Sequence, residues 1–68
     1  MTGAQFVRRA RRYGRRADLE VRFDASRGKG SHGLLYLGER RTVVKRGELK
    51  RGTLRAMLKQ LDIREEDF

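Results

Sequence analysis

A chain of 68 residues is enough for one small domain, near the lower limit at which a protein buries a core of its own. It has no cysteine and one histidine, which excludes a disulfide framework and a thiolate site and leaves a transition metal only carboxylates, so no metal or other cofactor is expected. Eighteen Lys and Arg against nine Asp and Glu leave a net charge of +9, and so basic a small domain is expected to meet a polyanion, RNA or DNA being the commonest.

The charge is unevenly placed. Residues 1–16 carry six arginines and no acid, whereas the last seven residues hold Asp62, Glu65, Glu66 and Asp67 against Arg64. In QFVRRARRYG, Phe6, Val7, Ala10 and Tyr13 fall on one side of a helix, with arginines around the rest and Gly14 placed to stop it. This reads as a core-packing helix with a solvated basic face. The arginines are also placed to touch phosphates, and the composition matches a transit peptide, although removing it would cost apolar area that so short a chain needs. No apolar run approaches the ~20 residues of a membrane span. With no signal-peptide core either, the chain is expected in the cytoplasm, without membrane contact.

LEVRFDA alternates without a break, Leu19, Val21, Phe23 and Ala25 pointing one way and Glu20, Arg22 and Asp24 the other, which predicts a half-buried strand. SRGKGS is a glycine-rich loop, HGLLYL a second strand, GER a tight turn and RTVVK a third strand. Strand length and the short turn predict an antiparallel meander. After RGELKRG, the segment TLRAMLKQL places Leu54, Met57, Leu58 and Leu61 on one helical stripe, with Gly52 or Thr53 available as a cap. REEDF reads as a final turn, with Phe68 free to pack back. The order α-β-β-β-α over residues 1–68 predicts a single α+β domain, a three-stranded antiparallel sheet with two helices on one face.

Period-2 geometry puts His32, Leu34 and Tyr36 on one face of the second strand and Gly33, Leu35 and Leu37 on the other. If Leu35 and Leu37 face the helices, His32 stands at the open edge of the uncovered face, and Leu34 and Tyr36 form an apolar patch of the kind that marks a partner surface. An imidazole titrates near neutrality, so His32 is placed to take a proton from a ribose 2′-hydroxyl or give one to a leaving oxygen. Lys29, with Arg27 as helper, can neutralise charge building on a scissile phosphate. Gly28 and Gly30 allow close backbone approach to an anion, and Ser31 can bond a phosphate oxygen or orient the ring. Such chemistry cleaves RNA without metal by attack of the 2′-oxygen on phosphorus, and DNA lacks that hydroxyl. A lone histidine is by default a surface or packing residue, and GKG often only joins two strands, so composition and spacing leave both readings open. Lys50 and Arg51 precede the second helix, where free N–H groups attract anions; they read equally as phosphate contacts or as solvated cations flanking a turn.

GKGSH opening a strand, then TVV, GELKRGTLRAMLKQLDI and a closing REEDF together resemble the HicA family of bacterial toxins over about residues 28–68, with GELKRGTLRAMLKQ the most specific piece. The resemblance implies a double-stranded-RNA-binding-like fold. It also implies an mRNA-cleaving toxin (an mRNA interferase) whose catalytic histidine is that of the Gly-Ser-His motif, here His32. A HicB-type antitoxin would inhibit it by covering that face. In RNA-binding domains of this fold a basic cluster such as Lys50 and Arg51 contacts phosphates across a groove. The sequence departs from the family pattern at Gly33, where a second polar residue is common, in VVKRGEL, which lacks the usual Pro and further His, and at Asp62, commonly glycine. With a single histidine the second proton-transfer group is unassigned among water, Lys29, Tyr36 and a group on the RNA.

The leading expectation is therefore an endoribonuclease toxin of a toxin–antitoxin pair. The alternative is a non-catalytic RNA-binding module of the same fold, using the arginine helix with Lys50 and Arg51. A third is an interaction subunit that binds a protein through Leu34 and Tyr36.

Overall fold

The computed structural model of the chain describes residues 1–26 and 32–68. Helix α1 (Gly3–Ala17) is followed by β1 (Val21–Asp24), β2 (His32–Leu37), β3 (Arg40–Lys45), α2 (Arg51–Gln60) and a 3-10 turn at Glu65–Asp67. The strands form one antiparallel sheet in the order β1-β2-β3. This is the α+β arrangement expected from the hydropathy pattern.

α1 begins with a capping box. The Gln5 N–H donates to Thr2 Oγ1 (3.1 Å) and the Thr2 N–H to Gln5 Oε1 (2.8 Å), which occupies amide donors that a helix start leaves unpaired. The expected stop at Gly14 is not where the helix ends; it continues to Ala17. Gly14 is buried, and a Cβ there would lie 2.3 Å from Val21 Cγ2 and 2.8 Å from the Leu19 carbonyl oxygen. The glycine serves close approach of the helix to β1, and the stop comes from Asp18, in the left-handed region at φ 58°. The N–H groups of Asp18 and Leu19 both donate to the Gly14 carbonyl. This tight reversal leaves Leu19 43% exposed and delays the strand to Val21, so Leu19 does not join the buried face predicted for it.

β2 alternates half-buried and buried from His32 to Leu37, with Leu35 and Leu37 under the helices. The turn is confined to Gly38 and Glu39, and Arg40 already belongs to β3. Gly38 has φ 59°, the left-handed backbone that a II′ hairpin turn takes at its first position. Phe6, Ala10, Leu35, Leu58 and Leu61 lie at the centre of the core. Phe68 packs back as predicted, its ring 4.8 Å from that of Phe6. Burying a Phe or Leu side chain contributes about 1.5–3 kcal/mol, so α1, which supplies Phe6 and Ala10, is an integral part of the domain.

α2 starts at Arg51 with Lys50 as its N-cap, so Gly52 and Thr53 lie inside the first turn and neither caps it. The segment before it is pinned to the start of α1. The Gly3 N–H donates to the Gly47 carbonyl (2.8 Å) and the Leu49 N–H to the Met1 carbonyl (2.8 Å), and Leu49 is buried. Both helices pack on the same face of the sheet; buried Thr42 of β3 donates its hydroxyl to Gln60 of α2. No described helix is long and apolar enough to cross a membrane.

Candidate active site

Counting outward from the two-residue turn sets the register of the hairpin. Leu37 faces Arg40, Tyr36 faces Arg41, Leu34 faces Val43 and His32 faces Lys45. On the other side Arg22 faces Tyr36 and Asp24 faces Leu34. Directly paired residues share a face, so the face away from the helices carries three rows: Arg22–Tyr36–Arg41, Asp24–Leu34–Val43 and His32–Lys45. His32, Leu34 and Tyr36 are half-buried, and Val43 is 50% exposed. The face split predicted for the second strand is the one observed.

His32 stands where this open face meets a cavity of about 290 Å³. The cavity is bordered by His32, Lys45 and Arg46, walled by Val7, Phe23 and Val44, and reached by the start of α1 at Gly3 and Ala4. The imidazole is thus at the rim of a cavity and not sealed beneath the helices. Gly33, beside it, is buried because the Phe23 ring takes the space a side chain would need: a Cβ there would lie 2.5 Å from Phe23 Cζ. That packing accounts for the absence of a second polar residue after the histidine.

The two helix starts converge on the same end of the sheet. α1 begins beside Gly47 and Glu48, and α2 begins at Arg51, six residues after Lys45 closes β3. Helix N-termini carry partial positive charge, and neither helix has an acid in its first turn. Lys45, Arg46, Lys50 and Arg51 are all exposed there. The acid of this stretch, Glu48, pairs with the Met1 amino group. Acids of the C-terminal segment are engaged elsewhere: Glu65 pairs with Arg55 (3.2 Å) and Glu66 with Arg64. Among the described residues this end of the sheet is thus rich in exposed cations, with Asp24 the acid on the open face.

Among the predicted site residues, His32, Leu34 and Tyr36 share one face, and Lys50 and Arg51 lie at its histidine end. Arg27, Lys29, Gly30 and Ser31 lie outside the described residues. Tyr36 is four residues along β2 from His32, about 13 Å at the rise of an extended strand. Lys45 is the neighbour that sequence reading missed, although the two-residue turn at Gly38–Glu39 carries the signal, since register follows from turn length. Arg22 was missed as well: its guanidinium lies over the Tyr36 ring, 4.8 Å from the centroid, a contact of about 0.5–1 kcal/mol at an exposed site. Asp24 Oδ1 accepts from the Ser26 N–H (3.0 Å) and hydroxyl (2.6 Å), which turns the chain at the end of β1.

A family model described as "HicA toxin of bacterial toxin-antitoxin" matches residues 19–63, which is 45 of the 68 residues. The matched span takes in all three strands and α2. No curated protein and no solved structure matches the chain.

Proposed function

Because this chain belongs to the HicA toxin family and is the toxin of a bacterial toxin–antitoxin pair, we propose that it is an endoribonuclease that cleaves mRNA with His32 as its general acid–base. The observation that carries this reading is the placement of His32, half-exposed at a cavity rim with a cation directly across the sheet. In the reaction the ribose 2′-oxygen attacks the adjacent phosphorus. The O2′–P bond forms, the P–O5′ bond breaks, the proton of the 2′-hydroxyl leaves and the 5′-oxygen takes one up. His32 performs one of these transfers, and with a single histidine in the chain the other falls to solvent, Lys29 or a group on the RNA. Lys45 offsets the charge growing on the phosphoryl oxygens, in the way electrostatic stabilisation lowers such barriers. Lys29, Arg27, Gly30 and Ser31, which precede β2 in the sequence, hold the phosphate, and Lys50 and Arg51 hold backbone phosphates further along. No step needs a metal.

The antitoxin, of the HicB type, acts in the cytoplasm by covering the face that carries His32, Leu34 and Tyr36. A partner seated there removes the histidine from RNA and quenches the surrounding positive field. The test is His32→Ala. The variant is expected to keep its circular dichroism and melting temperature while losing RNA scission and growth arrest. Scission at the wild-type rate would refute the role of His32.

The lone histidine also favours a second reading, a non-catalytic RNA-binding module on the same fold. Persistent gel shifts without strand scission, over long incubation in chelator, would select it.

A further inference from the structure

The open face carries a second group of side chains away from His32. Tyr36 occupies the central strand, with Arg22 its partner in β1 and Arg41 its partner in β3. Tyr36 stands outside the hydrophobic core, is half-buried, and is flanked by two exposed arginines. Strand side chains stand roughly perpendicular to the sheet, so the ring rises from the open face with Arg22 lying over it at 4.8 Å from the centroid and Arg41 at the facing position of β3. Both helices pack on the opposite face, and neither covers this row.

An aromatic ring in one row with two arginines recognises a group that both stacks and carries negative charge. Unpaired nucleobases stack on aromatic rings and on arginine planes, and their phosphates pair with guanidinium forks. An acidic protein segment would satisfy the arginines and leave the ring without a stacking partner, whereas a nucleotide satisfies both. Among the described residues of this face Asp24 is the single acid, and the neighbouring row supplies apolar Leu34 and Val43. Tyr36 lies about 13 Å along the strand from His32, too far to touch the reacting phosphate and close enough for a nearby nucleotide of the same RNA.

We propose that the Arg22–Tyr36–Arg41 row is a stacking subsite for an unpaired nucleobase of the single-stranded RNA whose backbone passes His32, so that the row helps set where the cut falls. The proposal rests on the reading of the chain as an RNA-cleaving toxin. Its test uses the full chain carrying His32→Ala, so that bound RNA stays intact, and two fluorescein-labelled single strands of equal length, one with bases and one abasic. Tyr36→Phe is expected to bind the base-bearing strand like the parent, and Tyr36→Ala about tenfold more weakly, the scale of one lost base–aromatic stack. On the abasic strand all three are expected to bind alike, and melting curves check that each is folded.

Equal affinity of Tyr36→Ala and the parent for the base-bearing strand would overturn the subsite, including the case in which the substitution weakens only the antitoxin complex. So would an equal loss on both strands, since that effect would not involve bases. The enzyme reading is judged separately, by comparing scission in the wild-type chain and His32→Ala. If neither cuts while the Tyr36 pattern holds, the subsite stands and the nuclease assignment falls.

Discussion

Lys45 of β3 is the residue directly across the sheet from His32 of β2, and both border the same cavity. Facing residues have Cβ atoms about 4.5–5.5 Å apart, which brings an ammonium group within reach of any phosphate that the imidazole touches. Removing a positioned charge that stabilises a developing oxyanion typically costs about 10²–10³ in rate. Lys45→Met is therefore expected to lower kcat for RNA scission about a hundredfold with little change in melting temperature, and Lys45→Arg to retain most of the activity. Full-rate cleavage by Lys45→Met would put the neutralising charge on another group.

Gly33 and the Phe23 ring that crowds it both line the cavity. A Cβ at Gly33 would meet Phe23 Cζ at 2.5 Å and Cε1 at 2.8 Å, with the Asp24 carbonyl oxygen at 3.2 Å. Gly33→Ala is expected to destabilise the domain by about 1–3 kcal/mol, the usual cost of overpacking. Because the nearest obstacle is a side chain, Phe23→Leu in the same chain should recover part of that loss. Urea denaturation of the two single variants and the double variant measures the coupling. Additive losses would show that the ring is not what excludes the side chain.

The sheet and its two faces are legible in the sequence because strict alternation leaves one assignment that buries Leu35 and Leu37, and that assignment puts His32 on the open face. Loop-bounded details are less legible. Leu19 continues the alternation, but the reversal at Asp18 places it before the strand, where tertiary geometry overrides period. Gly14 resembles a helix stop because local pattern cannot distinguish a glycine needed for φ from one needed for a close approach. The start of α2 is set by the ties of Gly47 to Gly3 and of Leu49 to Met1, at the far end of the sequence. No capping signal reports such contacts. The His32–Lys45 pair was legible from turn length, once Gly38 and Glu39 are taken as the whole turn.

Gly14 and Gly52 are both helical and predict opposite responses to alanine. At Gly14 the new Cβ would meet Val21 Cγ2 at 2.3 Å and the Leu19 carbonyl oxygen at 2.8 Å, and the backbone atom cannot rotate away. At Gly52 nothing lies within 4 Å. Gly14→Ala is expected to destabilise by about 1–3 kcal/mol, whereas Gly52→Ala should stabilise by about 0.5–1 kcal/mol through reduced unfolded-state entropy. In a domain of this size each kcal/mol moves Tm by about 4–8 °C, so thermal melts resolve the two signs. A rise in Tm for Gly14→Ala would mean that α1 and β1 are not in the contact described.

Lys50 and Arg51 open α2 as exposed cations, with no acid in the first turn to neutralise them. If they hold RNA phosphates, each contact releases counterions from the strand, and log K falls with log salt by about 0.7 per contact on single strands. Lys50→Gln and Arg51→Gln are each expected to lower the magnitude of that slope by about 0.7 and to weaken binding uniformly across RNA sequences. Arg64→Gln is the matched control, since Arg64 is paired with Glu66 in the acidic C-terminal segment, and it should leave the slope unchanged. Fluorescence titrations at several salt concentrations, in the His32→Ala background, measure all three. An unchanged slope with both Lys50 and Arg51 removed would make them solvated charges at a helix start, leaving the phosphate track to residues nearer His32.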